Sequence, residues 1–267
     1  MLAALPRPVN STTVRLRPLP IPGWLRSGFA FLGRFAPDLA AGAAARLFFT
    51  PTRPRRRPEQ AALLARGRRF ELESEGRPVV GWSWGQGAPV LLLHGWSGHA
   101  GQLAPFVEPL VERGRRVVAL DLPAHGLSAG ARTNVREFAA AIRRAGEIFG
   151  PFDAVIAHSF GCAATTLAMD SGFVARRAVF LAPPSRFETF VARMVEGLGL
   201  VLPVESRFRR AIQEWVGERF EEIEPRRLAR HQDAELLIVH DRDDDEVRFE
   251  EGEEIAARWP GARLVAT

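Results

Sequence analysis

Five apolar runs separated by stretches of helix length constrain this chain more than any other feature. They are VLLL (90–93), VVAL (117–120), AVIA (154–157), AVFL (178–181) and LLIV (236–239). Runs this short and this continuous suit strands buried on both faces, as in a parallel sheet with helical crossovers. The intervening segments at 104–114, 134–150, 161–172 and 249–259 carry helical patterns, and ARLVAT (262–267) supplies a further strand. Ahead of them, RFELES (69–74) and VVGWSWG (79–85) pair across EGRP as a hairpin. Right-handed crossovers then place the loops that matter at the carboxyl ends of the strands. With 267 residues, 46% of them hydrophobic, the chain has enough apolar surface for one large core. The expected architecture is an α/β fold with a mostly parallel eight-stranded sheet flanked by helices.

Two regions stand outside this alternation. Residues 1–69 form an N-terminal extension: a proline-rich arm to residue 23, helix from about 24 to 49 divided at Pro37, and RPRRRPEQ (53–60) as a solvated linker. Residues 70–267 form the sheet domain, and the mostly helical stretch 185–232 is inserted where a lid would lie. All 36 basic residues are arginine, which reflects GC-rich coding. The net charge of +5 is uneven: residues 1–69 carry 13 arginines against Asp38 and Glu59, a balance of +11 that leaves −6 for the rest. Basic charge with Trp24, Phe29, Phe31, Phe35, Phe48 and Phe49 makes weak peripheral contact with an anionic membrane an open expectation for the extension. Nucleic acid is not an expected partner, because no aromatic residues interleave the arginines and no binding motif follows them. Arginines interrupt the most apolar stretch, 24–50, so no transmembrane helix is expected. No secretory signal pattern begins the chain and Cys162 is the one cysteine, so a reducing, cytoplasmic location is expected.

Three strand-end loops carry the chemistry. In VIAHSFG, Ser159 stands between a strand and a helix rich in small residues, with Ala157 and Gly161 two positions to either side. A turn this sharp admits only small residues there, and it presents the hydroxyl as a nucleophile. The amide of Phe160 opens the following helix, where unpaired N–H groups favour developing negative charge. In LLLHGWSGHAGQL, the pair His94–Gly95 lets the backbone turn so that the amide of Trp96 faces the serine. His94 itself shapes that loop, and His99 is read as a polar loop residue. In LLIVHDRDDDEVRF, Asp241, Asp243, Asp244 and Asp245 follow a buried strand, and one of them is positioned to orient an imidazole. No second acidic or histidine cluster supplies metal ligands, so neither a metal nor another cofactor is expected.

Together HGWSG, DLPAHGLS, AHSFG and VHDRDDDEV, in that order, resemble the α/β-hydrolase fold enzymes over roughly residues 70–267. The resemblance implies that Trp96 and Phe160 supply the oxyanion amides, that Ser159 is the nucleophile, and that His94, Gly95 and Gly161 build the loops. The family's acid-loop pattern, His-Gly-x-x-Asp-x-x-Val-Pro, falls on 240–248 and selects Asp244 as the triad acid, with Asp243 and Asp245 as alternatives. Asp241 stands for the pattern's glycine and Arg248 for its proline. In DLPAHGLS, Ala124 stands for glycine, and His125 is implied to be structural. The implied activity is hydrolysis of carboxylic esters or thioesters of small or medium acyl groups. An acyltransferase on the same machinery and a non-catalytic binding protein are the alternatives.

The resemblance also places the catalytic histidine just after the eighth strand, followed by a helix that packs on the sheet. Here that strand is ARLVAT, and all six histidines (94, 99, 125, 158, 231 and 240) fall elsewhere. His158 is not expected to substitute, because adjacent side chains on a tight turn point apart. The base is therefore expected beyond residue 267, with the 267-residue chain itself inactive or impaired.

Overall fold

In the computed structural model, which describes residues 19–267, the hairpin and the apolar runs assemble into one eight-stranded sheet. The strands are β1 (Arg68–Ser74), β2 (Arg77–Trp84), β3 (Pro89–Leu93), β4 (Arg116–Leu120), β5 (Phe152–His158), β6 (Ala175–Leu181), β7 (Glu235–His240) and β8 (Arg263–Ala266). Their order is β1-β2-β4-β3-β5-β6-β7-β8. The β1–β2 and β2–β4 pairings are antiparallel and the other five are parallel. The sheet is thus mixed at one edge. Glu75 and Gly76, both at positive φ (50° and 72°), close the β1–β2 hairpin.

Alternation along the strands divides the core between the two faces. Leu91, Leu93, Val118, Leu120, Val155 and Ala157 face one cluster, packed by α5 (Val135–Phe149) and α6 (Phe160–Asp170). Val90, Leu92, Val117, Ala119 and Ile156 face the other. That second face is covered by α3 (Pro58–Arg66), a 3-10 turn at Ala100–Phe106 and α4 (Val107–Glu112), which together replace the single helix expected at 104–114. Toward β8 the same face is left open: Val179, Leu181, Leu237 and Val239 stay half-buried and Val265 is 47% exposed. The register sets Val179 beside Leu237, and Val239 between Leu181 and Val265.

The N-terminal extension begins with α1 (Gly23–Phe35) and α2 (Pro37–Phe48), divided at Pro37 as the sequence predicts, since proline at a first helical position costs no hydrogen bond. The expected arm at 1–23 lies mostly outside the described residues. The inserted region contains α7 (Glu188–Leu198), α8 (Val204–Val216) and the short turns α9 (Phe220–Ile223) and α10 (Pro225–Leu228). α11 (Phe249–Ala256) precedes β8. Ala40, Ala41, Ala44 and Ala45 are buried along one side of α2, and their small side chains permit the close approach of α8. Phe48 meets Phe208 edge-on at 5.8 Å, Phe49 meets Trp215 at 4.0 Å, and Asp38 pairs with Arg207 at 2.7 Å. The extension and the inserted helices therefore form one cap over the carboxyl ends of the strands.

RPRRRPEQ is largely exposed, as its composition suggests, but two of its arginines are anchored to the sheet domain. Arg56 pairs with Asp121, which has no exposed surface, and its guanidinium lies 5.1 Å from the centre of the Trp82 ring. Arg53 donates to the carbonyls of Gly126, Ser128 and Gly130. Pro58 then starts α3, a helix hidden in the sequence by its proximity to the arginine run. The other Asp121 contacts explain why a charge is tolerated there: its carboxylate also accepts from the amides of Ala100 (2.8 Å) and Leu127 (2.7 Å). Replacing Arg56 by alanine strands that carboxylate, so Arg56→Ala should destabilise the fold by about 3–5 kcal/mol in urea denaturation, with Asp121→Asn costing less.

Candidate functional site

Ser159 occupies the turn between β5 and α6 with φ 49° and ψ −122°, a conformation that non-glycine residues rarely adopt. The strain is held by neighbours on both sides: the Ser159 amide donates to the carbonyl of Leu181 (2.9 Å), and its carbonyl accepts from the Cys162 amide (2.8 Å). Gly161 is obligatory, since a Cβ there would lie 2.6 Å from the backbone oxygen of His94. A Cβ on Gly95 would come within 3.0 Å of the serine Cβ, so the His94–Gly95 turn is drawn directly against Ser159. The serine hydroxyl makes no cap bond to the α6 amides.

Trp96 and Phe160 flank this serine. Their rings meet edge-on at 5.2 Å, and both line a cavity of about 440 Å³ with Ser159, Gly95 and His158. Among the described residues, neither of their backbone amides donates to a protein acceptor. The walls of the cavity are mostly apolar, with Phe187, Phe190 and Met194 from the inserted region facing Phe48 and Phe49 from the extension. The contribution of Phe48 and Phe49 is invisible in the sequence, because it depends on α2 folding back over the sheet. Asn134 also lines the cavity, where its side chain accepts from the amides of Arg136 (2.9 Å) and Glu137 (3.1 Å) and so fixes the start of α5.

Among the acidic residues after β7, the structure separates Asp244 from its alternatives. One Asp244 oxygen accepts from the amides of Glu246 (2.8 Å) and Val247 (2.9 Å), and the other lies 3.8 Å from Nε2 of His240. Asp241, Asp243 and Asp245 are exposed. Among the described residues, no group of three or more His, Cys, Asp or Glu side chains is arranged to hold a metal ion.

The histidines are occupied in other ways. His94 is fully buried, with Nδ1 donating to the carbonyl of Gly95 (2.7 Å) and Nε2 accepting from the Leu122 amide (2.9 Å). His125 donates from Nδ1 to the carbonyl of Pro123 (2.9 Å) and accepts at Nε2 from the Ser97 amide (2.8 Å). Burial lowers the pKa of each of these rings to about 3, which keeps both neutral and fixes their tautomers. His99 lies in the loop, as expected, but is buried there, and burial also holds its pKa down. His240 is buried with Nε2 on the carbonyl of Val247 (2.9 Å), while the exposed His231 faces Asp170. His158 is exposed at the rim of the cavity. Desolvation of its ring lowers its pKa, against the opposing pull of Asp244 and Glu246. No hydrogen bond joins Ser159 to any of the six.

The sequence profile of the alpha/beta hydrolase family matches residues 90–266, and the chain belongs to that family. Its fold is similar to that of an esterase from Pyrococcus furiosus (TM-score 0.62, 21% identity, 82% of this chain and 89% of that one). It is also similar to an esterase from Exiguobacterium antarcticum (TM-score 0.57, 16% identity, 74% and 90%). A serine hydrolase-like protein of Danio rerio is 44% identical over 63 residues, 21% of this chain. The chain spans about a fifth (19%) of that relative's length.

The neutral histidines make a pH signature. Their folded pKa values near 3 lie below the ordinary value of 6.5, so the unfolded chain takes up protons first as pH falls. Stability should be intact above pH 6.5 and decline toward pH 3. His94 and His125 together should remove on the order of 4 kcal/mol by about pH 5, read by urea denaturation across that range. Independently, Gly161→Ala should cost about 1–3 kcal/mol by forcing the Ser159 turn away from the His94 carbonyl.

Proposed function

We propose that this protein is a serine hydrolase that cleaves carboxylic ester or thioester bonds of small to medium acyl groups. The observation that carries the proposal is Ser159, strained at positive φ on the wall of an apolar cavity beside two undonated amides. In this reading the Ser159 oxygen attacks the substrate carbonyl while an imidazole accepts its proton. The amides of Trp96 and Phe160 stabilise the oxyanion. Collapse breaks the bond to the alcohol or thiol, which leaves with the proton, and water then releases the acid by the same route. Asp244, anchored by two backbone amides, orients the imidazole. The mostly apolar walls suit the acyl portion, and the cavity is of ordinary ligand size.

We propose that residues following β8 supply the imidazole. Two observations support this. The Thr267 amide donates to the carbonyl of His240 (3.0 Å) and the Arg242 amide donates to that of Thr267 (3.1 Å), so chain leaving β8 emerges beside the loop carrying Asp244. The half-buried face of Val179, Leu181, Leu237 and Val239 also offers apolar surface for such a segment to cover. A non-catalytic binding protein is the second reading, favoured by the absence of any histidine bonded to Ser159.

A fluorophosphonate probe and a 4-nitrophenyl ester decide between them. The hydrolase reading expects Ser159 labelling that is lost in Ser159→Ala, and turnover in the 267-residue chain that rises when free imidazole is added. A version extended by its downstream codons should exceed the unassisted chain by about 10⁴-fold or more, with Asp244→Asn reducing the gain. An ester that binds without labelling or turnover in either version would establish the binding-protein reading instead.

A further inference from the structure

The exposed side of α1 has no role in the chemistry above, and its composition is unusual for a solvent-facing helix. Trp24, Phe31 and Phe35 recur at helical spacing on one stripe and are 74%, 70% and 68% exposed, and Leu39 at the start of α2 is 68% exposed. The opposite side is the one that packs inward: Phe29 is buried, and Gly33 lies against Val204 of the inserted region. Phe31 and Phe35 touch only along the stripe, with ring centres 5.1 Å apart. Arg34 is exposed on the flank of this stripe and is in no ion pair among the described residues, whereas Arg26 lies on the inward side, against Gly199 of the inserted region. Leu19 and Pro20, which line the catalytic cavity, lead within three residues into α1.

We propose that this face of α1 rests on an anionic lipid surface and seats the mouth of the cavity against it. Tryptophan and phenylalanine gain by entering the boundary between headgroups and acyl chains, and Arg34 on the flank of the stripe meets the lipid phosphates. Charge complementarity selects a membrane over an acidic protein groove or a second copy of this chain. The stripe is aromatic along its length, free of acidic residues between Gly23 and Pro37, and belongs to a segment whose balance is +11. No helix among the described residues is long and apolar enough to cross a membrane, so the contact is one of lying on the surface. Delivery of lipid-dissolved acyl esters to Ser159 rests on the hydrolase reading, whereas the membrane contact does not.

The test is co-sedimentation of the full chain with vesicles of phosphatidylcholine alone and with vesicles in which a third of the lipid is phosphatidylglycerol. The chain should partition onto the anionic vesicles and far less onto the neutral ones. Phe31→Ser with Phe35→Ser should weaken that binding by about tenfold or more, and Arg34→Gln by about fivefold. All three positions are exposed, so thermal unfolding should be unchanged in both variants, and a variant that does unfold is replaced by Trp24→Ser. Equal binding to both vesicles, no binding to either, or binding untouched by the aromatic variants would overturn the proposal. So would sedimentation equilibrium showing a dimer that the Phe31 and Phe35 substitutions dissolve. Because nothing here depends on turnover, a chain that binds vesicles but never labels at Ser159 would sink the hydrolase reading and leave this one standing.

Discussion

A single buried carboxylate organises the site end of this molecule. Asp121 follows β4 and reaches three separate pieces of chain: the loop after Trp96 through the Ala100 amide, its own turn through the Leu127 amide, and the segment after α2 through Arg56. Removing an ion from water costs several kcal/mol, and only a full set of partners offsets it. Asp121 is therefore satisfied in one arrangement of these three pieces. Gly126 belongs to the same design, since a Cβ there would lie 2.0 Å from the carboxylate. The backbone that carries the Trp96 amide beside Ser159 inherits its position from this arrangement.

The sheet and the serine turn were legible in the sequence because both are local. Apolar runs of strand length reveal a sheet through periodicity alone, and the spacing of Ala157, Ser159 and Gly161 reveals the turn through what sterics allow. Asp244 emerged from a motif register, and its environment is also local, two amides within three residues. The cap was not legible in the same way. Nothing near Phe48 or Phe49 announces that they will meet Phe208 and Trp215, more than 150 positions away. The anchoring of the arginine run was hidden for a related reason: composition marks charge as solvated, as most of the run is, while Arg56 meets a carboxylate that only the folded sheet brings near it. The burial of the loop residue His99 was hidden in the same way, since it is set by a turn that packs between α3 and the sheet.

Departures from the family pattern are absorbed by backbone geometry more than by side chains. Ala124 stands where the pattern has glycine and keeps the left-handed conformation, φ 61°, although only 1% exposed. Such a residue costs on the order of 1–2 kcal/mol, offset here by its amide bond to the carbonyl of Ala129 and by the packed turn around His125. Ala157, one of the two small residues the serine turn requires, adds no conformational cost, because it still lies in β5 and its methyl fills the core.

The two-part cap has a consequence for how the molecule comes to be made. α1 and α2 leave the ribosome well before α8, residues 204–216, which closes the apolar side of α2. Until those residues are synthesised, the buried alanines of α2 and the rings of Phe48 and Phe49 lack their α8 partners. Contacts this distant in sequence form late and leave apolar surface uncovered in the interim. The nascent chain thus carries an aromatic, arginine-rich segment without its cover for a long stretch of synthesis, and the cavity beside Ser159 is completed when the inserted helices appear.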